Sequence, residues 1–405
     1  MMVRKWFPAL ALLGVLALAG CTFGPSSGQT STPTPPASGS TPTSPASSLE
    51  LAFIGGDGNV WDMAWPGGTP KQWTTDAQAQ TRYSGLAWSP DGARLAVLRE
   101  TGASGSPSGD TLMLFASNGS VAAKYTLIAQ PYNTPFAWSP DGTLIAYRTT
   151  TNEVNAATNT IKGRLTILDA KSGATKQSLL YDDGGGGCGG AFSALEAAVM
   201  QAHQAYQGID TFTWTPDQTG LLVAQGCGND SAGLVNLGNQ TTTAGYPAGA
   251  SYQPSNHAII LGLWSQSNTT TLGLGNTTGT EGRVFLTANF PSTDNIGLGV
   301  PVWTPDGQNI YVEHNNGIWT MDANGANAHQ VVAGAKNDSQ NQATVAMLPS
   351  LSPDGALLLY LQLHGDNGAP GSGSASSQCY VAKSDGSNAT ALPKGASAAA
   401  WRPAK

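Results

Sequence analysis

One short pattern recurs five times in this 405-residue chain: an anchor residue, Ser or Thr, Pro, then Asp. The copies are Leu86-Ala87-Trp88-Ser89-Pro90-Asp91-Gly92, Phe136-Ala137-Trp138-Ser139-Pro140-Asp141-Gly142, Phe212-Thr213-Trp214-Thr215-Pro216-Asp217, Pro301-Val302-Trp303-Thr304-Pro305-Asp306-Gly307 and Pro349-Ser350-Leu351-Ser352-Pro353-Asp354-Gly355. The order of residue types is that of a tight hairpin. Proline presets φ at the first turn position, aspartate bonds its own backbone, and glycine takes the positive φ that returns the chain as a strand. Alternating β-branched, aromatic and aliphatic residues flank the turns, so each copy reads strand, turn, strand.

A second hairpin follows each first one. It is plainest in Gly317-Ile318-Trp319-Thr320-Met321-Asp322-Ala323-Asn324-Gly325 and Cys379-Tyr380-Val381-Ala382-Lys383-Ser384-Asp385-Gly386, with further turns centred on Asn118-Gly119, Ser172-Gly173, Gly238-Asn239, Gly275-Asn276 and Gly67-Gly68. Four strands per repeat make a propeller blade. Composition agrees: 51 Gly and 25 Pro with only 11% charged residues leave little room for extended helices.

Anchor spacing sets the number of blades. The intervals from Trp88 to Trp138, Trp214, Trp303, Leu351 and Trp401 are 50, 76, 89, 48 and 50 residues. The interval of 89 contains a worn first hairpin, Ser251-Tyr252-Gln253-Pro254-Ser255-Asn256, followed by Ala258 to Leu261, which divides it in two. The expected fold is therefore an all-β, single β-propeller of seven four-stranded blades, with six as the alternative. Ala400-Trp401-Arg402-Pro403 supplies one strand and stops, whereas Leu51–Ile54, Val60–Ala64 and Gln72–Thr74 supply three strands without an anchor. Pairing the chain ends completes a blade and closes the ring, removing sheet edges that invite aggregation.

The Trp-Ser-Pro-Asp-Gly turns and the Ile-Trp-Thr-Met-Asp strand resemble the repeats of TolB-type, or WD-like, bacterial propellers over roughly Leu49 to Lys405. That resemblance implies fold more than task, because such repeats serve Tol-system proteins, peptidase gating domains and lipoproteins alike.

Three parts are expected along the chain: 1–21 a signal, 22–48 a tether, and 49–405 the propeller. Arg4 and Lys5 precede a 14-residue apolar run from Trp6 to Ala19, too short to span a bilayer but suited to a secretory signal. Leu18-Ala19-Gly20-Cys21 resembles the bacterial lipobox, which implies cleavage before Cys21 and diacylglycerol on its sulfur. The expected location is the extracytoplasmic face of the cell membrane, or the outer membrane or periplasm of a cell with two membranes. Residues 22–48 are almost wholly Ser, Thr, Pro, Gly and Ala, a composition that buries nothing.

Net charge is −7 overall and −9 once the signal is removed, a balance that repels nucleic acid. The long interval between Trp138 and Trp214 maps an insertion to residues 182–210, with a Gly-rich loop and a short helix expected over Ser193–Tyr206. Cys188 and Cys227 lie in Gly-rich loops of successive blades and form the expected disulfide in an oxidising compartment. Cys379 reads as a small buried hydrophobe.

Chemistry is hard to find in linear motifs. The one Gly-x-Ser-x-Gly match, Gly24 to Gly28, lies in the tether, where no oxyanion hole can be fixed. The five histidines, His203, His257, His314, His329 and His364, show no metal-ligand spacing, and the Asp-Asn-Gly clusters at Asp57-Gly58-Asn59, Asp182-Asp183 and Asp366-Asn367 lack the spaced carboxylates of a calcium loop. Most of the eleven tryptophans occupy repeat positions, leaving Trp65, Trp73 and Trp264 over. No catalytic residue, metal or cofactor is singled out. The expectation is a non-enzymatic, monomeric binding or scaffolding module for an envelope protein, peptide or glycan. The alternative is an enzyme of lyase or glycosidase type with its site in the central channel.

Overall fold

The computed structural model describes residues 49–404 apart from segments 104–105, 128–135, 156–159, 183–211, 226–230, 267–268, 290–298, 300, 336–337, 341 and 367–373. The tether, Cys21, the insertion with its expected helix, Cys188 and Cys227 all lie outside the described residues. Ser47–Lys405 forms one compact unit.

Seven four-stranded antiparallel sheets are present, so the seven-blade reading holds and the six-blade alternative falls. Labelling strands A to D from the centre outward, blade 2 is Thr81–Trp88, Arg94–Ala103, Ser106–Ala116 and Val121–Thr126. Blade 3 is Phe136–Trp138, Leu144–Asn155, Thr160–Asp169 and Thr175–Asp182; blade 4 is Phe212–Trp214, Gly220–Gln225, Ser231–Asn236 and Thr242–Tyr246. The worn repeat is a full blade 5: Ala248–Gln253, Asn256–Gln266, Thr269–Asn276 and Glu281–Asn289. Blade 6 is Val302–Trp303, Asn309–His314, Gly317–Asp322 and His329–Val332; blade 7 is Gln342–Leu351, Leu357–Asp366, Ala375–Lys383 and Thr390–Ala391.

Blade 1 takes its A strand, Ala398–Trp401, from the C-terminus and the other three, Leu49–Ile54, Val60–Trp65 and Lys71–Gln72, from the start of the propeller. The pairing runs Leu51 to Trp401, Ala52 to Ala400, Phe53 to Ala399 and Ile54 to Ala398. Backbone bonds continue past both ends of it, from Arg402 N–H to Glu50 C=O at 2.8 Å and from Ser397 N–H to Ile54 C=O at 2.9 Å.

The Ser/Thr-Pro-Asp turn is one hydrogen-bonded unit. In blade 2 the Ser89 hydroxyl donates to Asp91 Oδ1 at 2.5 Å and accepts Arg94 N–H at 2.9 Å, while Asp91 Oδ1 accepts Ala93 N–H at 3.0 Å. The same pattern recurs at Ser139–Asp141, Thr215–Asp217, Thr304–Asp306 and Ser352–Asp354. Gly92 sits at φ 63°, as the sequence predicts; in blade 4 that place belongs to Gln218, at φ 60° without a glycine.

Among the described residues, seven buried clusters fill the seven seams between blades. That between blades 7 and 1 gathers Leu51, Phe53, Met347, Leu359, Leu361, Cys379 and Trp401 among others, and Cys379 is fully buried there, as expected. Trp88 packs into the seam of blades 1 and 2, Trp138 into 2 and 3, Trp214 into 3 and 4, and Trp303 into 5 and 6. Of the leftover tryptophans, Trp73 packs beside Trp88 and Phe115, and Trp65 against the seam of blades 7 and 1. Burial of such surface at about 25 cal/mol per Å² is what no single blade could achieve.

The rim carries a second device, invisible in the repeat pattern. From one blade a side chain reaches the outer turn of the next: Lys71 Nζ to Asn118 C=O at 2.7 Å, Tyr125 hydroxyl to Ala170 C=O at 3.2 Å, Gln177 to Leu237 C=O at 2.6 Å, Tyr246 hydroxyl to Thr277 C=O at 3.1 Å and Tyr311 hydroxyl to Ser384 C=O at 2.8 Å. Beside the first of these, the Trp73 indole covers Gly119, where an added Cβ would lie 2.6 Å from the ring.

Candidate functional site

The A strands of the seven blades face one another around a central channel, and a cavity opens in it. Its volume is about 420 Å³. The wall is built from blades 2 to 6: Ala87, Trp88 and Pro90; Phe136, Ala137 and Trp138; Thr213 and Trp214; Gly249, Ala250 and Ser251; Pro301 and Val302.

Strand alternation explains the wall. Each anchor indole turns into the seam with the preceding blade, so the residue just before it turns toward the next blade, where its exposed side lines the cavity. Those residues are Ala87, Ala137, Thr213, Ser251 and Val302, all uncharged and most of them small. The sequence carries this signal one place before every anchor, in residues that are not themselves reactive.

Hydrogen bonds knit the wall between blades. Trp138 Nε1 donates to Ala87 C=O at 3.0 Å, Trp214 Nε1 to Ala137 C=O at 3.2 Å, and the Thr213 hydroxyl to Ala250 C=O at 2.6 Å. Two buried polar atoms on lining residues have no such bond: Ser251 Oγ and Trp88 Nε1. Tyr252, which takes the anchor's place in blade 5, is pushed up to about 12 by burial first and the nearby Tyr246 and Asp217 second, so it stays neutral. No described lining residue carries a formal charge.

Charged groups near the ring's other face are engaged with one another. Asp76 accepts the Tyr83 hydroxyl at 2.6 Å and two bonds from Arg99 at 3.1 and 2.8 Å; burial acts to raise its pKa, but these bonds outweigh it and hold the carboxyl below the usual range. Glu100 accepts Arg82 at 3.1 Å and the Ser84 hydroxyl at 2.5 Å. Across the ring, the buried Glu313 accepts the N–H of Leu348, a residue at φ 55°, at 2.5 Å.

The residues weighed for metal chemistry are dispersed or structural. Asp57 Oδ1 accepts Asn59 N–H at 3.0 Å and Trp61 Nε1 at 3.2 Å, the turn role expected of it. His314 packs edge-on against Trp319, and burial lowers its pKa. His364 meets Thr344 and His329 meets Asn327 C=O, in different blades. His203, Asp183 and Asn367 lie outside the described residues, as does the expected Cys188–Cys227 pair. The connections that would hold the two cysteines leave Asp182 at the end of blade 3 and Gln225 in blade 4, and both open on the same face of the ring.

No known sequence family matches the chain, and no curated protein matches it either. Solved structures do. A periplasmic gluconolactonase from Pseudomonas aeruginosa matches 88% of this chain and 99% of its own at 13% identity and a TM-score of 0.53. A Bacteroides fragilis protein named as a 6-phosphogluconolactonase matches 89% and 99% at 13% identity and a TM-score of 0.51. TolB from Acinetobacter baumannii matches 88% and 67% at 14% identity and a TM-score of 0.45. At these identities the likeness establishes the propeller fold alone. It also overturns one expectation, that the chain is not an enzyme, because structures named as enzymes share this ring. That expectation rested on missing linear motifs. A site assembled from several blades needs none, since each contributes a single residue to the lumen.

Proposed function

We propose that this chain is a lipid-anchored, extracytoplasmic ligand-binding propeller. Cys21 carries the anchor, residues 22–48 the tether, and the central channel receives part of an envelope protein, peptide or glycan. One observation carries the reading: residues from five successive blades converge on a cavity of about 420 Å³ whose described wall is uncharged. Concave, mostly apolar sites with few polar groups are where proteins take ligands. Cys188 and Cys227 form a disulfide that ties the insertion at 182–210 to blade 4 in the same proposal.

The experiment uses the compact unit Ser47–Lys405 and a channel-filled variant, Ala137→Phe. Both are titrated with soluble peptidoglycan fragments, envelope peptides and glucono-1,5-lactone, a neutral lactone included because the fold is shared with structures named as gluconolactonases. Saturable binding that is lost in Ala137→Phe supports the reading. Lactone turnover lost in the same variant would make the channel an active site. Binding that survives filling contradicts the channel as the site.

A further inference from the structure

We infer that the group entering this channel is uncharged and predominantly apolar, and offers one hydrogen-bond-accepting oxygen, such as a carbonyl, to Ser251. This deepens the reading of the channel as the ligand site and rests on it.

The wall excludes charge. An ion seated against a wall of Ala87, Phe136, Ala137, Trp138, Ala250 and Val302 gives up part of its hydration and gains no counter-charge from the described lining. A densely hydroxylated ligand is disfavoured for a related reason. Thr213 has already given its hydroxyl to Ala250 C=O, and the indoles of Trp138 and Trp214 have given theirs to carbonyls of the preceding blade. Few donors are left over.

Trp88 Nε1 and Ser251 Oγ are the exceptions, and of the two only the serine hydroxyl can be redirected by a simple change of χ1. Ser251 lines the cavity, yet its hydroxyl lies buried with no hydrogen-bond partner. A buried unsatisfied hydroxyl is costly, and a serine side chain moves between staggered χ1 positions easily. Turned toward the lumen, Ser251 Oγ–H gains a partner as soon as a ligand oxygen arrives. The site is made at the worn repeat: Ser251 stands where blades 2 and 3 carry Ala87 and Ala137. Loss of the repeat's own residues at this blade thus coincides with the one hydroxyl on the described wall left without a partner.

The test uses three naphthalenes of one shape and different chemistry: 2-acetylnaphthalene, 2-ethylnaphthalene and 2-naphthoate. Each is titrated against the unit Ser47–Lys405 by quenching of tryptophan fluorescence. The expected order is 2-acetylnaphthalene about tenfold tighter than 2-ethylnaphthalene, the worth of one hydrogen bond, and 2-naphthoate at least about tenfold weaker than the ketone. In Ser251→Ala the ketone and the hydrocarbon should bind alike. In Ala137→Phe all three should be lost, and Ala87→Phe, which fills the channel from another blade, guards against a folding failure in the first. Equal binding of the naphthoate, a ketone preference that survives Ser251→Ala, or no binding of the ketone overturns the inference. If all three naphthalenes fail while an envelope ligand is still lost on channel filling, the channel stands as a site and this chemistry falls.

Discussion

Two opposite regions of the ring are built differently. Where the chain ends meet, blade 1 is held from both sides: by the cluster around Phe53, Met347 and Trp401 on one, and by that around Ile54, Val60, Trp88 and Phe115 on the other. Arg402 adds an ion pair to Glu50, a bond to Gly92 C=O at 2.7 Å and a position 5.2 Å over the Trp88 ring. The seam between blades 4 and 5 is thin by comparison, with Leu222, Ala232, Tyr246, Ala250 and Ile260 as its buried core among the described residues. Connectivity explains the contrast. Blades 4 and 5 are joined by Pro247 alone, so the chain itself keeps them together. Strands A and B of blade 1 have no such link and depend on packing. The lumen cavity follows the division: its described wall comes from blades 2 to 6 and none of it from blades 7 and 1. Tight packing lies where the ring must be held shut, and open space with an unpartnered hydroxyl lies where it need not be.

The sharpest way to break this comparison is at the closure. Trp401→Ala, at a residue 7% exposed, should cost about 3–5 kcal/mol in urea unfolding, whereas Tyr252→Ala, at the equivalent place in blade 5, should cost less than half as much. Equal losses would mean that the closure is nothing special.

Rim glycines sharpen the comparison at smaller cost. Gly119→Ala forces a Cβ to 2.6 Å from Trp73 at φ 87° and should lower stability by about 2–3 kcal/mol. Gly279→Ala, beside the thin seam, meets Gly245 C=O at 3.1 Å and Tyr246 at 3.4 Å, a milder crowding than at Gly119, and should cost about 1–2 kcal/mol, most of it the left-handed backbone penalty. Repairing a worn turn should work in the other direction. Gln218→Gly relieves a left-handed residue, although it gives up an amide turned toward Asp141 at 3.1 Å, so a gain of about 0.5 kcal/mol in unfolding free energy is expected.

The smallest effect concerns pH. Burial acts to raise the pKa of Asp141, but bonds from Ser139, Thr143 and Gln218 bring it down to about 2; Asp91, Asp217 and Asp306 are also held low, chiefly by the neighbouring Ser or Thr hydroxyl and a backbone N–H. A carboxyl depressed in the folded state contributes stability that is present above its unfolded value near 3.8 and is lost as pH falls toward 2. Melting temperature should therefore fall between about pH 4 and pH 2, and less steeply in Asp141→Asn. Blade 5 has Asn256 in its turn and so brings no turn aspartate to that slope.

Much of this was legible in the residues. Trp401 could be matched to the strand around Phe53 because each lacked what the other supplied, and the turn aspartates could be read as architecture because Ser or Thr always stands two places before them. The worn copy at Tyr252 was harder: without Asp and Gly it left six blades open, and only its four paired strands settle the matter. The clasp of Trp73 on Gly119 joins residues from different blades, so no local pattern announces it. The lumen wall was missed for another reason. A motif search looks for reactive groups, and here the signal was a column of small neutral residues beside the anchors.

Amide hydrogen exchange on the unliganded ring tests the central claim, that packing is concentrated at the closure and relaxed around the channel. Amides of Leu51–Ile54 and Ala398–Trp401 should exchange as slowly as those of Leu95–Leu98 in blade 2, through global unfolding alone, while Ala248–Gln253 exchanges faster through local opening. Fast exchange at the chain ends, with slow exchange in the inner strand of blade 5, would contradict it.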